Sequence, residues 1–322
     1  MVEALPDLMA AAAFRRYGPP EQLERLSLPR PTPGPRQVLI EVAYATINPA
    51  DLLFREGALA AVISGDPPYV AGLELAGRAV ATGTGSRWRP GEPLAAITSF
   101  IPGGHGAHCR YVVVDDDSAA VVPAEVPLDR AAVIPMSGLT AQLAIDRIGA
   151  LAGKSIAISG AAGAVGGFAT ELAVLAGAEV IAIVDPAYEE RVRRLGATHV
   201  VARGADSAGE VRRIKPDGAD ALIDAAVVGT ALLPAVKDGG RVMLVRDNVV
   251  SSERGIAVEH VSVGDYRHER SKLERLLWLA ATGRLTPVVA RLLPPERAAE
   301  GHRALAGGGL GGRIVLDFTG AR

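Results

Sequence analysis

The stretch Ile156-Ala-Ile-Ser-Gly-Ala-Ala-Gly-Ala-Val-Gly-Gly167 predicts a short apolar strand, a glycine-rich turn and the start of a helix. Glycines in such a turn let the backbone approach a pyrophosphate, and the helix N-terminus supplies N–H groups and the positive end of its dipole. Asp185 ends the next apolar run, nineteen positions after Gly166. An acid at about this distance can hydrogen-bond the adenosine ribose. Strand, turn, helix, second strand and acid in this order predict a dinucleotide-binding site.

The glycine pattern departs at one place from the G-x-G-x-x-G fingerprint. In that register Ala161 takes the first glycine position, with Gly160 just before it, and Gly163 and Gly166 hold the other two. The turn as a whole is still expected to hold the phosphates through its backbone. The predicted cofactor-binding residues of the turn are Gly160, Ala162, Gly163, Ala164, Val165 and Gly166.

Composition narrows the class of protein. The chain has 322 residues, enough for two domains, and a net charge of −2 with only 4% aromatic residues, which argues against nucleic acid as a partner. The longest apolar stretch, residues 225–236, is too short for a membrane span, and the N-terminus lacks a signal pattern. Cys109 is the single cysteine, so an internal disulfide is excluded. A cytoplasmic protein without a membrane partner is expected.

The first part of the chain, to about residue 128, has the pattern of a β-rich domain. Residues 1 to about 10 are predicted to be a loose extension. Strand-like runs separated by proline and glycine follow at Gln37–Tyr44, Leu73–Thr82 and Cys109–Val114.

From Ala131 the pattern changes to strands that alternate with helices, which predicts a parallel sheet covered on both faces. Asp247–Arg254 is expected to be a solvated loop, and Val258–Val263 a last strand. Helices are predicted at Ser271–Thr282 and Glu296–Leu305. The remaining predicted strands are Ile156–Ser159, Val180–Val184, His199–Val201, Ala221–Asp224 and Arg241–Val245, and finally Arg313–Phe318, which is expected to rejoin the N-terminal domain.

The whole chain resembles the zinc-free quinone oxidoreductase (zeta-crystallin-like) branch of the medium-chain dehydrogenase/reductase superfamily. The matching stretches, in family order, are Ile47-Asn-Pro-Ala-Asp51, Gly72-Leu-Glu-Leu-Ala-Gly77, Gly138-Leu-Thr-Ala141, Ser159-Gly-Ala-Ala-Gly-Ala-Val-Gly166, Leu195-Gly-Ala197, Gly239-Gly-Arg241, Gly283-Arg-Leu285 and Gly312-Arg-Ile-Val-Leu316. The resemblance implies an α/β protein with a GroES-like β-rich catalytic domain (1–128 and 268–322), a Rossmann doubly wound parallel-sheet domain (129–267) and a cleft between them. It also implies a homodimer formed through the edge of the nucleotide-domain sheet.

The same resemblance argues against a metal. Zinc-dependent relatives carry a cysteine near the position of Asn48 and a Gly-His-Glu where this chain has Gly72-Leu73-Glu74. Asn48 and Leu73 cannot replace a thiolate and an imidazole, so we expect no zinc. His105, His108 and Cys109 form a compact cluster, which we interpret as a loop with surface and packing residues rather than as a metal site.

Without a metal, the implied chemistry is hydride delivery to a quinone or an α,β-unsaturated carbonyl. In the family, the residues that match Asn48 and Thr140 lie near the nicotinamide. Both side chains are neutral, so they would bind cofactor or substrate and act by positioning and by stabilising a developing oxyanion. For each, the alternative is a turn residue or a hydroxyl that lines a helix.

The proton donor is the weak point of the resemblance. Many relatives have a tyrosine or lysine where this chain has Leu52, Leu53 and Phe54. Asp51 is expected to cap or brace its loop. Tyr69 is a candidate catalytic residue, with packing as the alternative role; water can also protonate the released anion.

The sequence contains features that favour NAD(H) and features that favour NADP(H) as the cofactor. Asp185 favours NAD(H) because it would repel a 2′-phosphate, whereas the branch mostly resembles users of NADPH and Arg203 lies where a guanidinium could bind that phosphate. NADP(H) is favoured over NAD(H). Two other functions remain open: an enoyl-thioester reductase of a polyketide or fatty-acid pathway, and a cofactor-binding protein without turnover.

Overall fold

The computed structural model describes residues 5–246, 250 and 254–320. The chain divides into two compact units: unit 1 comprises Met1–Met136, Arg267–Ala281 and Pro287–Arg322, and unit 2 comprises Ser137–Tyr266 and Thr282–Thr286. This division leaves residues 129–136 with unit 1. The functional domain boundaries drawn from the sequence stay a prediction.

Unit 1 begins with eight strands and two short helices. In chain order they are β1 (Leu8–Phe14), β2 (Glu24–Pro29), β3 (Gln37–Ile47), α1 (Pro49–Glu56), β4 (Tyr69–Val70), β5 (Glu74–Thr82), β6 (Pro93–Ile97), β7 (Tyr111–Asp115), β8 (Ala119–Val121) and α2 (Leu128–Ala131).

Helix α3 (Pro135–Ile148) leads into unit 2. The elements that follow are β9 (Ser155–Ser159), α4 (Ala164–Leu175), β10 (Glu179–Val184), α5 (Glu189–Arg194), β11 (His199–Ala202), α6 (Ser207–Ile214), β12 (Ala219–Asp224), β13 (Val236–Leu244) and β14 (Ala257–His260). The chain then returns to unit 1 with α7 (Arg270–Ala281), β15 (Val289–Leu293), α8 (Ala298–Gly307) and β16 (Arg313–Asp317). Most of the loop Asp247–Arg254 lies outside the described residues.

The described strands of unit 1 form two sheets. The larger has the order β15-β16-β3-β5-β6-β8, with β7 also paired to β3, and the smaller has the order β2-β1-β4. Strand β16 pairs antiparallel with β3, with Ile314 opposite Ile47. Its inward side chains Ile314 and Leu316 are fully buried in the same core as Leu39 and Leu75. The prediction that the last strand rejoins the N-terminal domain is therefore confirmed.

The loose N-terminal extension predicted for residues 1 to about 10 is wrong for the part that the structure describes. Strand β1 begins at Leu8 and pairs with both β2 and β4. Residues Ala11 to Phe14 are almost fully buried. An alanine run is a weak strand signal because small side chains show little periodicity. Here their size lets a strand pack closely on the core.

Unit 2 holds a parallel sheet with the strand order β11-β10-β9-β12-β13-β14. Counted from β9 as the first strand, this order is 3-2-1-4-5-6, which is the doubly wound topology predicted from the sequence. The order reverses between β9 and β12. Ligands of such sheets bind outside the carboxyl ends of the strands at this reversal. The fold therefore directs attention to the loops that follow β9, β10 and β12.

No helix among the described residues is long and apolar enough to cross a membrane.

Candidate functional site

The glycine turn lies where the topology predicts a ligand, directly after β9. Gly160 has a φ of +62°, a backbone conformation that residues with a side chain rarely adopt. Its N–H donates to the carbonyl of Ile183 at 3.0 Å, which ties the turn to the end of β10. The N–H of Gly163 donates back to the Gly160 carbonyl at 2.8 Å and closes the turn. Helix α4 starts at the next residue.

Gly166 is the position at which the turn tolerates no side chain. A Cβ on Gly166 would overlap the carbonyl oxygen of Gly160, whereas a Cβ on the neighbouring Gly167 would meet the Leu195 side chain at an ordinary 3.6 Å. Gly163, the N-cap of α4, makes no side-chain capping hydrogen bond, so the first N–H groups of the helix have no side-chain cap. A backbone cradle at a helix N-terminus fits a dinucleotide phosphate.

Asp185 and Arg203 lie at the same edge of the sheet as the turn. The N–H of Arg203 donates to the carbonyl of Val184 at 2.7 Å, so Arg203 and Asp185 flank one backbone contact. Both residues are exposed. One carboxylate oxygen of Asp185 accepts from the N–H of Ala187 at 3.0 Å. The structure thus brings together the residues that argue for NAD and for NADP.

Two of the three arginines of α5 form ion pairs with glutamates of the same helix. Arg193 pairs with Glu189 at 2.8 Å and Arg194 with Glu190 at 2.5 Å, each four residues away on the same exposed helix. Exposed pairs of this kind stabilise a helix slightly and are screened by salt. Arg203 lies outside this helix, and the hydrogen bond of its N–H to the Val184 carbonyl places its backbone at the carboxyl edge of the sheet.

Sequence reasoning missed a clamp beside the glycine turn. The hydroxyl of Ser159 donates to Asp224 at 2.5 Å and accepts from the N–H of Ala226 at 3.0 Å. Asp224 also accepts from the N–H groups of Val228 (3.1 Å) and Gly229 (2.8 Å). These bonds fix the loop after β12 at the strand-order reversal. The available signal was a polar residue at the end of two apolar strands that prove to be neighbours.

Thr140 lies within α3 and is 3% exposed. It belongs to unit 2, as do the glycine turn, Asp185 and Arg203. Asn48 and Tyr69 belong to unit 1. The role of Thr140 beside a nicotinamide stays a prediction.

Asn48 is the N-cap of α1 and lies in a buried polar network of unit 1. Its N–H donates to Asp51 at 2.6 Å, and the other oxygen of Asp51 accepts from the N–H of Gly72 at 2.8 Å. Asp51 is fully buried, and burial raises its pKa, an effect opposed by His108 and by these two N–H donors. The expectation that Asp51 braces the loop is confirmed. Its carboxylate links the start of α1 to the segment that precedes β5.

The Asn48 carboxamide lies against Thr46 and Glu74. Its Nδ2 is 2.9 Å from the Thr46 hydroxyl and 3.2 Å from Glu74 Oε1, while the Thr46 hydroxyl donates to the same Glu74 oxygen at 2.5 Å. Glu74 Oε2 accepts from the N–H of Met136 at 2.7 Å. Burial raises the pKa of Glu74, opposed first by Arg313 and then by these donors. Asn48 Oδ1 is buried and has no hydrogen-bond partner in the described parts of the chain.

Two histidines extend this network. His108 Nε2 is 2.8 Å from the Thr46 carbonyl, and Arg55 Nη1 is 3.3 Å from His302 Nδ1. Both imidazoles are fully buried, with ring centroids 6.2 Å apart. Burial lowers the pKa of His302 well below its usual value, and the charges of His108 and Arg55 lower it further.

The residues of this region do not fit a zinc site. Asn48 and Leu73 are not zinc ligands, and both oxygens of Glu74 already accept hydrogen bonds. Cys109 is buried, and burial raises the pKa of its thiol to about 12, so it does not offer a thiolate. His105 is exposed. Within the described ranges, no three His, Cys, Asp or Glu side chains converge as a metal site would require.

Tyr69 belongs to an aromatic cluster. Its ring stacks on Tyr17 with centroids 5.3 Å apart and packs beside Phe14 and Phe54 at 5.5 and 5.6 Å. Burial, and then a hydrogen bond with Tyr69, raise the pKa of Tyr17 to about 12. Tyr69 therefore packs, as the alternative interpretation expected, and its hydroxyl has a phenol partner. Sequence reasoning missed Tyr17, whose distance from Tyr69 along the chain gives no local signal.

Comparison with known proteins identifies the family. Two family models match: the alcohol dehydrogenase GroES-like domain over residues 34–126 and the zinc-binding dehydrogenase over residues 195–316. The trans-enoyl reductase tazE of Aspergillus terreus is 32% identical over 228 residues, covering 64% of this chain and 73% of that protein. The chloroplastic NADPH-dependent alkenal/one oxidoreductase of Arabidopsis thaliana is 28% identical over 323 residues, covering 97% and 80%.

Other relatives match over less of their length. The chloroplast envelope quinone oxidoreductase homolog of Arabidopsis thaliana is 31% identical over 202 residues, covering 60% of this chain, which spans 61% of that relative. Among solved structures, an NAD-dependent alcohol dehydrogenase superposes with a TM-score of 0.83 at 29% identity, covering 96% of this chain and 99% of that one. The chain belongs to the medium-chain dehydrogenase/reductase superfamily, in its quinone oxidoreductase branch, a family of nicotinamide-nucleotide oxidoreductases.

Proposed function

We propose that the protein is an NAD(P)H-dependent reductase of quinones or α,β-unsaturated carbonyls that works without zinc. The observation that carries the proposal is the backbone cradle formed by Gly160, Gly163 and Gly166 at the start of α4. When bound, a reduced nicotinamide supplies the hydride. Relatives named as quinone oxidoreductases and as an alkenal/one oxidoreductase support the substrate class.

NADP(H) is the proposed cofactor in preference to NAD(H). The backbone holds Arg203 beside the end of β10, where an exposed guanidinium can pair with a 2′-phosphate. Asp185 opposes this, although one of its oxygens accepts the Ala187 N–H and so serves the turn after β10. A relative that is NADPH-dependent by name supports the preference, and the NAD-dependent alcohol dehydrogenase supports the alternative.

The chain's own residues would act by binding and orienting the reactants. Asn48 and Thr140 are neutral and buried, so they can orient reactants but do not exchange protons at neutral pH. Zinc-independence is proposed because Asn48 and Leu73 replace the ligand types that a catalytic zinc requires. The anion left after hydride transfer is protonated by Tyr69 or by water.

Tyr69→Phe tests the proton donor. Loss of a general acid is expected to lower kcat by about ten-fold or more. Tyr266→Phe is the matched control, because its hydroxyl donates to Asp146 at 2.7 Å in unit 2 and belongs to no proposed site. An unchanged kcat in Tyr69→Phe assigns protonation to water and leaves Tyr69 a packing residue.

The function itself is tested by following nicotinamide oxidation at 340 nm with a panel of quinones and enones, using NADPH and NADH in parallel. Turnover with a quinone or an enone, faster with NADPH, is expected. Tight binding of a cofactor without oxidation by any acceptor would establish the binding-protein alternative instead.

An enoyl-thioester reductase remains the second candidate. Relatives named as trans-enoyl reductases, at 30% and 32% identity, favour it. Including a crotonyl thioester in the acceptor panel distinguishes it: a kcat/KM for the thioester far above that for quinones would replace the quinone assignment.

A homodimer that pairs through β14, the edge strand of the unit 2 sheet, is also proposed. Sedimentation velocity at micromolar concentration tests it. The cytoplasmic location stays a prediction.

A further inference from the structure

The hydrogen bonds around Asn48 determine which end of its carboxamide is available to a ligand. Both neighbours of Nδ2 are acceptors on that side: the single hydroxyl proton of Thr46 goes to Glu74, and an ionised carboxylate has no proton to give. Only an NH₂ group satisfies two such acceptors. The network therefore turns Nδ2 inward and commits its two hydrogens.

Glu74 is itself held in one place. Its side chain is fully buried, and it accepts three hydrogen bonds, from Thr46, Asn48 and the Met136 N–H. The last of these comes from the main chain, so it fixes the carboxylate whatever the neighbouring side chains do. A pinned carboxylate leaves the Asn48 amide a single favourable orientation.

The remaining group of Asn48 is an acceptor without a donor. Oδ1 is buried, and no donor in the described parts of the chain makes a hydrogen bond to it; the nearby Asp51 N–H donates to the Asn48 main-chain carbonyl at 3.0 Å instead. A buried polar atom left without a hydrogen bond is costly, and native structures rarely keep one without a reason. A ligand that brings a donor would satisfy it.

We propose that Glu74 is a positioning residue that fixes Asn48 as a hydrogen-bond acceptor, so that Asn48 recognises a hydroxyl or N–H group of the bound reactants. This inference rests on the proposed function. It differs from the expectation that Asn48 stabilises an oxyanion, because an oxygen without a hydrogen-bond donor repels negative charge and both N–H groups of the carboxamide already have acceptors. The donor is a hydroxyl or amide N–H of the dinucleotide, or the hydroxyl of an enol or hydroquinone.

Glu74→Gln reverses the polarity with almost no change in shape. The Met136 N–H still requires an acceptor, so the oxygen of the new carboxamide faces Met136 and its NH₂ faces Asn48. Asn48 then turns its oxygen inward and presents NH₂ to the ligand. We expect the Kd for NADPH, from fluorescence titration without acceptor, to rise at least about ten-fold, equivalent to 1.4 kcal/mol.

The double variant N48D/E74Q restores the acceptor. The carboxylate introduced at position 48 has two acceptor oxygens: one takes the NH₂ of the carboxamide introduced at position 74, and the other faces the ligand. We expect the Kd of this variant to return to within a few-fold of the wild-type value. If Glu74→Gln does not fold, N48D/E74Q is compared with Asn48→Leu, which has no acceptor and is expected to bind about ten-fold more weakly.

Glu171→Gln is the matched control for loss of a buried carboxylate. Glu171 on α4 is 8% exposed and accepts from the Thr286 N–H and hydroxyl at 3.0 and 2.6 Å. It belongs to no proposed site. Its substitution is expected to lower the Tm without raising the Kd for NADPH.

The measurements on these variants distinguish a hydrogen-bond donor on the dinucleotide from a donor on the substrate. A raised Kd for NADPH in Glu74→Gln assigns the donor to the dinucleotide. An unchanged Kd with a ten-fold fall in kcat/KM for a quinone or enone assigns it to the substrate. A folded Glu74→Gln in which neither changes, or an N48D/E74Q that recovers neither the lost NADPH affinity nor the lost kcat/KM, overturns the proposal. Wild-type protein that binds neither NADPH nor NADH refutes the proposed function instead.

Discussion

The glycine turn of unit 2 and the buried network of unit 1 build their sites by opposite means. The turn is built from the main chain: Gly160 adopts a positive φ, and Gly166 has no side chain that would overlap the Gly160 carbonyl. The network uses side chains from separate segments, such as Thr46 on β3, Glu74 on β5 and His108 in the segment before β7, which are linked by hydrogen bonds. Because a turn is local, its sequence reveals it, whereas a network assembled by the fold is hidden among residues that look unremarkable one by one.

The strongest way to break the turn is to add one methyl group. Gly166→Ala is expected to weaken NADPH binding by about ten- to a hundred-fold, because the Cβ overlaps the Gly160 carbonyl and overpacking typically costs about 1–3 kcal/mol. Cofactor titration by fluorescence measures it. Gly167→Ala, one residue on, is the control: its Cβ fits, and removing a helical glycine is expected to raise the free energy of unfolding by about 0.5–1 kcal/mol. Equal binding by the two variants would contradict the role of the turn.

Two variants at the carboxyl edge of the unit 2 sheet test the opposite charges of Arg203 and Asp185 separately. Arg203→Ala is expected to raise the Kd for NADPH by about ten-fold, since a charge-assisted bond to phosphate is lost, and to leave the Kd for NADH nearly unchanged. Asp185→Ala is the converse variant and is expected to weaken NADH selectively. Isothermal titration with both cofactors decides the assignment. Tighter binding of NADH by the wild type, lost in Asp185→Ala, would reverse the preference for NADP(H).

The buried network is expected to make stability depend on pH through His302. Its folded pKa is depressed by burial, so below about pH 6.5 the unfolded chain takes up a proton that the folded chain refuses. Above that pH, His302 does not lower the free energy of unfolding. As the pH falls below it, the free energy of unfolding decreases by up to about 1.4 kcal/mol per pH unit. Asp51 and Glu74, whose pKa values are raised, titrate with the opposite sign.

Urea unfolding from pH 7.5 to 5.5 measures this slope, and His302→Asn isolates it. Asparagine has no proton to take up in this range and keeps an acceptor for Arg55. The variant should therefore show a flatter dependence than the wild type. Parallel curves for the two proteins would place the acid sensitivity elsewhere.

The smallest expected effect belongs to Cys109. Because burial raises its thiol pKa to about 12, almost no thiolate is present at pH 8, and the folded protein should not react with a thiol reagent within an hour. Protein unfolded in urea should react at once with one equivalent of the thiol reagent. Rapid modification of the folded form would show that the region around β7 opens.

The sequence predicted the fold class, a parallel sheet in the second part of the chain and the return of the last strand to unit 1. These follow from short apolar strands, turn glycines and the family resemblance, whereas the strand order came from the structure. It misread the N-terminus, since alanines in β1 carry little periodicity, and it missed Tyr17 and the Ser159–Asp224 clamp. Each of these depends on a partner from a distant part of the chain.

What the sequence by itself determined is the backbone chemistry of the protein. Glycine at positions 160 and 166 permits a conformation and a close approach that few other residues allow, so their identity specifies the turn. The sequence also named Asn48, but not the orientation of its carboxamide. Only the tertiary structure decided that Nδ2 lies against Thr46 and Glu74, because an amide can turn either way until neighbours with fixed donors and acceptors surround it. Thr46 and Glu74, brought together by pairing of distant strands, supply those neighbours.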